Sequence, residues 1–171
     1  KFANYWLHGA FLVNEEGEKV SKSKGGLYTL TELENLGFKP EHYRYLNLQA
    51  HYRKQLKFSL SSLESSKNAF EKIKSKIISL KNQEHKAQDL TKEYEAQFHE
   101  AINDDLNIPK ALSIFTTALN NQDFDPKLKL SLLKKFDTVF GLNIASFQNQ
   151  ETQIPKKVQN LAQEREHALL H

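Results

Sequence analysis

A mainly α-helical protein is what the 171-residue sequence predicts, and three observations carry that prediction. From Ser59 onward, apolar residues recur at steps of three, four or seven, the spacing that lines one face of a helix. Proline, glycine and short polar tracts fall between the stripes, where helices begin and end. The chain has only 6 glycines and neither a GxGxxG nor a GxxxxGK run, so no complete nucleotide-binding parallel sheet is visible.

The first thirty residues differ from the rest. Phe2 to Val13 is rich in aromatic and aliphatic side chains, and Phe11-Leu12-Val13 predicts a short buried strand ending at Asn14-Glu15-Glu16-Gly17. A polar loop follows, Glu18 to Gly26, and then an extended piece, Leu27-Tyr28-Thr29-Leu30. Thr31 is the expected N-cap of a helix carrying Leu33 and Leu36 and ending at Gly37. Pro40 opens the next helix, with Tyr43, Leu46 and Ala50 assigned to its buried face.

Ser59 should cap a long helix whose stripe is Leu60, Leu63, Phe70, Ile73, Ile77 and Leu80. Tyr94, Phe98, Ala101 and Ile102 make a second stripe, and Pro109 opens a helix through Leu112, Phe115 and Leu119. Leu128, Leu132, Phe136, Val139 and Phe140 make a further helix that stops at Gly141, and Pro155 opens a last one carrying Val158, Leu161 and Ala162. The connections Asn120 to Asp123 and Gln148 to Glu151 are short and polar, as antiparallel neighbours in a bundle require.

Composition excludes several function classes. With no Cys there is no disulfide framework, thiol nucleophile or thiolate-held metal; a reducing compartment, the cytoplasm, is the expectation. No apolar run approaches the ~20 residues that span a bilayer, so no membrane partner is expected. The 24 basic and 21 acidic residues leave a net charge of +3, too small to imply a nucleic-acid partner by itself. Of the 7 His only His167 and His171 have the HxxxH spacing, which by itself is too little for a metal site, and His8 reads as a packed or surface residue.

Lys19-Val20-Ser21-Lys22-Ser23 is the segment richest in chemistry. It sets two ammonium groups three positions apart, interleaves two hydroxyls and precedes two glycines, so backbone and side chains can close around a polyanion. A phosphate chain is the ligand this chemistry suits, because a lysine can follow charge moving from a triphosphate to a departing pyrophosphate. A solvated turn has the same composition and is the alternative.

Order and neighbours bear on that choice. Lys19 to Ser23 resembles the KMSKS signature of class I aminoacyl-tRNA synthetases, with Val20 in place of Met. Tyr5-Trp6-Leu7-His8 before it, and His51-Tyr52-Arg53, Gln55-Leu56 and Phe58-Ser59 after it, resemble segments flanking the signature in cysteinyl-tRNA synthetases. Ala101 to Leu112, with Asn103-Asp104-Asp105-Leu106-Asn107-Ile108-Pro109 at its centre, is similar to an acidic element of that family's helical domain. Between His8 and Gly9 the family usually has one more residue.

The resemblance implies the tail of a Rossmann-type catalytic domain with its signature loop over residues 1–30. A stem-contact region over 31–58 and an antiparallel helical anticodon-binding bundle over 59–171, truncated at its C-terminus, would follow. It implies ATP with Mg2+, cysteine and tRNA(Cys) as substrates. Lys22 would contact the ATP phosphates in adenylate formation, Lys19 would assist, and Ser21 and Ser23 would shape the loop. The family's HIGH-type motif, its Rossmann core and its Cys/His/Glu zinc site have no counterpart in the sequence. The chain alone is therefore expected to be inactive, with no metal ligands of its own.

The helical half has its own candidates. Lys67, Lys74 and Lys81 lie seven apart on one helical face and could follow an RNA backbone, or be a solvated face. His51, Tyr52 and Arg53 offer stacking and phosphate contacts, while Tyr52 is equally suited to packing between subdomains. Asp104-Asp105 has the composition of a metal or acid/base pair, but Asn107 and Pro109 close behind favour helix termination and capping. The competing readings of the whole are a non-catalytic helical RNA-binding module and a piece of another class I synthetase.

Overall fold

The computed structural model describes residues 2–20, 28–83 and 87–148. The predicted last helix, and Ser21, Lys22 and Ser23 of the Lys/Ser loop, lie outside the described residues. Among the described residues the protein is mainly helical. A strand β1 (Leu12–Val13) is followed by α1 (Leu30–Asn35), α2 (Pro40–Leu48) and a second strand β2 (Leu56–Lys57). Then come α3 (Leu60–Leu80), α4 (Thr91–Asn103), α5 (Ile108–Asn120), α6 (Pro126–Phe140) and a single 3-10 turn at Ile144–Ser146.

β1 and β2 pair in parallel, Leu12 opposite Leu56 and Val13 opposite Lys57, with α1 and α2 forming the crossover between them. The far edge of β1 is met by its own hairpin. Val13 bridges Lys19 in antiparallel fashion, and Val20 N–H donates to the Leu12 carbonyl at 3.0 Å. The reversal between them needs Gly17, whose φ of 84° lies in the left-handed region that side chains disfavour.

Helix ends follow local chemistry. Ser59 caps α3 as expected, its hydroxyl accepting from Ser62 N–H. The α1 cap is Thr29 rather than Thr31: Thr29 accepts from Glu32 N–H while the Glu32 carboxylate takes Thr29 N–H at 2.7 Å, a capping box two residues ahead of the one Thr31 and Glu34 would make. Leu36 is the C-cap of α1 and is 51% exposed, and Leu33 is the helix's buried anchor. On α2 the buried residues are His42, Tyr45 and Leu46; Tyr43 is half-buried, and Ala50, also half-buried, lies past the end of the helix.

Two cores result. The larger joins α3 to α6 through Phe70, Ile77, Phe98, Phe115, Phe136 and Phe140, with Tyr45 of α2 beside them. The smaller gathers Leu33, Phe38, Leu46, Phe58 and Leu63 under the β1–β2 pair. Leu60, Leu128 and Val139 sit at the edges of their stripes and remain exposed. Phe124, Leu142, Ile144 and Phe147 are buried although they stand outside every helical stripe.

α2 also closes the end of α6. Arg44 Nε donates to the Phe140 carbonyl, and Gly141 follows in the left-handed conformation, φ 63°. A Cβ there would come within 3.0 Å of the Arg44 guanidinium, so glycine serves both backbone and packing. Asp137 completes the reversal, its two oxygens accepting Leu142 and Ile144 N–H at 2.7 and 2.9 Å.

His42 is the buried titratable group that ties α2 to α3. It is 2% exposed; its Nδ1 accepts Lys39 N–H at 3.0 Å and its Nε2 faces Glu71 at 3.3 Å. Burial lowers its pKa below the usual histidine value, opposed by the Glu71 carboxylate and assisted by Lys39 and Lys67. A base with a depressed folded pKa contributes stability that is present above its unfolded value, about 6.5, and lost as pH falls through the interval to the folded value. Wild-type protein should therefore lose more stability between pH 7.5 and 5 than His42→Gln does, read from denaturant midpoints. Equal losses would show that His42 does not contribute to the acid limb.

Candidate functional site

The Lys/Ser loop leaves the fold from the β1 hairpin. Asn14 N–H donates to the Glu18 carbonyl at 2.9 Å, and Glu18 N–H returns to Asn14 Oδ1 at 2.7 Å, which fixes the hairpin neck. Lys19 is the first loop lysine and is placed by that neck. Its ammonium lies 3.9 Å from the centroid of the Phe11 ring, a cation–π contact across the hairpin. Among the described residues no carboxylate holds Lys19 in a salt bridge.

His51, Tyr52 and Arg53 occupy the turn between α2 and β2, and the structure brings all three onto Asp105. Tyr52 donates its hydroxyl to Asp105 Oδ1 at 2.6 Å; Arg53 reaches Oδ2 through Nε at 2.7 Å and Oδ1 through Nη2 at 3.2 Å. His51 Nε2 lies 3.0 Å from the Asp105 carbonyl oxygen, and its ring is 4.8 Å from that of Tyr52. The hydrogen bond from Tyr52, and next that from Arg53, lower the Asp105 pKa; the same bond raises that of Tyr52. Asp105 is thus held ionised, its carboxylate accepting from Tyr52 and Arg53 while its carbonyl meets His51.

The helix-termination reading of the acidic pair also holds. Asp104 is the C-cap of α4, and Asn107 caps α5 by accepting Lys110 N–H at 3.2 Å. Between them Asp105 and Leu106 are both left-handed, with φ of 51° and 54°. Sequence reasoning missed that Asp105 also has partners 52 and 53 residues away. The signal in the sequence was two blocks of resemblance, with nothing to pair them.

The lysine stripe lies along α3 but is engaged. Lys67 pairs with Glu64 at 3.3 Å and sits 5.1 Å from the Phe38 ring; Lys74 pairs with Glu71 at 3.6 Å near Phe147; Lys81 donates to the Phe147 carbonyl. An open cleft of about 420 Å3 lies elsewhere, between the N-terminal segment and the α4–α5 turn. Its walls include Ala10, Tyr43, Leu48, Tyr52, Leu56 and Leu106. Among the described residues no three His, Asp or Glu side chains gather to hold a metal, and with no Cys in the sequence the chain does not fit a thiolate-held zinc. No helix among the described residues is long and apolar enough to cross a membrane.

Residues 1–68, which contain the β1 hairpin and the His51–Arg53 turn, match the family model described as the tRNA synthetases class I (C) catalytic domain. Over 168 residues, 98% of the chain, the sequence is 32% identical to cysteine–tRNA ligase 1 of Burkholderia lata. The chain belongs to the cysteinyl-tRNA synthetase family. It is also similar to the cysteine–tRNA ligases of Protochlamydia amoebophila, 35% identical over 98% of the chain, and Brachyspira hyodysenteriae, 42% identical over 73%. The chain spans 35, 38 and 28% of these three ligases respectively. For a cysteinyl-tRNA synthetase, the described geometry covers the base of the signature loop and the link from that base to the helices.

Proposed function

We propose that the chain supplies the ATP loop and the tRNA-facing helices of a cysteine–tRNA ligase. The complete enzyme would join cysteine to ATP as cysteinyl-adenylate, releasing pyrophosphate, and then pass the cysteinyl group to the 3′ end of tRNA(Cys). The observation that carries this reading is the alignment of nearly the whole chain with cysteine–tRNA ligases, running through both the loop and the helical half. The cytoplasm, where tRNA and ATP meet, is the proposed compartment.

In this reading residues 1–30 close a Rossmann-type catalytic domain, 31–58 form the stem-contact region and 59–171 the antiparallel anticodon-binding bundle. Lys22 meets the ATP phosphates, which arrive with Mg2+ as part of the substrate, and Lys19 adds a second ammonium. Ser21 and Ser23 shape the loop. The position of Lys19 over a neutral ring supports its part, since a cation held by an aromatic face transfers to phosphate without first breaking a salt bridge. Lys67, Lys74, Lys81 and the exposed edge of Arg53 are the tRNA-facing cations. The carboxylate partners of Lys67 and Lys74 would be exchanged for phosphates, which makes binding salt-dependent.

Pyrophosphate exchange tests the assignment. The full-length protein carrying this segment should exchange pyrophosphate into ATP with cysteine and not with serine, and these 171 residues alone should show none. Cysteine-dependent exchange by the short chain would overturn the division of labour. No exchange by the full-length protein, together with equal affinity for tRNA(Cys) and unrelated RNA, would favour the non-catalytic RNA-binding module.

A further inference from the structure

We infer that Asp105 is a positioning residue for the ATP loop: from the α4–α5 turn it fixes, through Tyr52, the strand from which the loop leaves the fold. The inference rests on the reading of the Lys19–Ser23 loop as the ATP loop, and goes beyond it by assigning a role to a turn in the helical half.

The contacts are continuous. Asp105 takes the Tyr52 hydroxyl at 2.6 Å and the Arg53 guanidinium at 2.7 Å. The Tyr52 carbonyl takes Ala10 N–H at 2.7 Å. Ala10 leads through Phe11 into β1, which is held on one edge by β2 and on the other by Lys19 and Val20. Phe58 N–H adds a bond to the Val13 carbonyl at 2.8 Å, so residues 10–13 lie between the Tyr52–Phe58 segment and the base of the loop. Phe11, the ring under the Lys19 ammonium, follows the residue that Tyr52 binds. A displacement of Tyr52 is therefore passed to the Phe11–Lys19 contact within two residues.

The turn is built at a cost, which is the second observation. Asp105 and Leu106 are consecutive non-glycine residues at positive φ, and each such residue costs on the order of 1–3 kcal/mol where nothing else favours it. Strain of that kind persists where surrounding contacts over-determine it. Here those contacts are the three side chains of the 51–53 turn on Asp105. A lone exposed ion pair contributes little to stability. Tyr52 and Arg53 converging on one carboxylate, with His51 on the carbonyl of the same residue, define a position instead.

The test uses the full-length protein with Asp105→Asn and Tyr52→Phe. Asn tolerates the left-handed conformation, so D105N removes charge without adding strain, and Y52F removes one hydroxyl. Both should raise KM for ATP, or lower kcat/KM for ATP, by roughly 3- to 30-fold in tRNA-independent exchange, the span of couplings carried by packed networks. KM for cysteine and the melting temperature should hold. Trypsin should cut faster within the Lys19–Lys24 segment in both variants. A fall in melting temperature with unchanged ATP kinetics and unchanged tryptic cleavage would make the cluster a mere brace and overturn the inference. Wild-type protein without exchange activity would instead overturn the ATP-loop reading on which it rests, whatever the variants do.

Discussion

Lys22→Ala in the full-length protein should slow adenylate formation by about 10²- to 10³-fold, the loss found when one preorganised electrostatic donor is removed from a developing charge. In the proposed step the cysteine carboxylate bonds to the α-phosphorus of ATP as the bond from that phosphorus to the bridging oxygen breaks, so negative charge builds on the bridging oxygen of the departing pyrophosphate. An ammonium that follows it is worth more in the transition state than in the bound substrate, so the loss belongs in kcat and less in KM for ATP. Lys19→Ala should cost less, because its resting place on the Phe11 ring already offsets part of what it gains on meeting phosphate. KM for cysteine should stay within twofold in both variants. Pyrophosphate-exchange kinetics decide the matter: a Lys22→Ala rate within a few-fold of wild type would remove Lys22 from the transition state.

How much of this arrangement could be read in advance depended on how local its cause is. Ser59, Asn107 and Gly141 declare their helix ends in the sequence because a cap is a matter of three or four neighbouring residues. Thr29 and Thr31 each stand three residues before a Glu, Glu32 and Glu34, so the capping-box pattern does not choose between them, and α1 starts from Thr29. The stripes of α3 to α6 were legible, but periodicity cannot mark where a stripe narrows, so Leu60, Leu128 and Val139 lie outside the core. It is silent altogether for Phe124 and Phe147, which are buried from loops. The candidate site divides in the same way. A loop with the chemistry to suit a polyanion shows itself in five consecutive residues, whereas the Tyr52–Asp105 bond depends on how a crossover and a bundle pack, and no local pattern encodes a partner 53 residues away.

Phe136→Ala should destabilise the helical half by about 3–5 kcal/mol, the range for deleting a fully buried aromatic ring. Phe136 is 1% exposed and stacks on Phe98 with centroids 3.9 Å apart and planes within 4°. Phe140 meets the edge of Phe98 at 5.5 Å and that of Phe115 at 5.6 Å, so one chain of rings fastens α4, α5 and α6. Against a typical stability of about 5–15 kcal/mol for a domain, that loss approaches unfolding at physiological temperature. A double-mutant cycle with Phe98→Ala separates ring–ring interaction from simple burial and should return a coupling of about 0.5–1.5 kcal/mol. A coupling near zero would leave area alone as the source of the loss. The position of Phe98 makes the result bear on function as well: α4 ends at Asn103, two residues before Asp105. A core loosened at Phe98 is expected to release the α4–α5 turn before the β1 hairpin, because β1 and β2 rest on the separate cluster of Leu33, Phe58 and Leu63. Hydrogen exchange should then show Asn107 and Lys110 N–H losing protection in Phe136→Ala while Val20 N–H, bonded to Leu12, keeps its own.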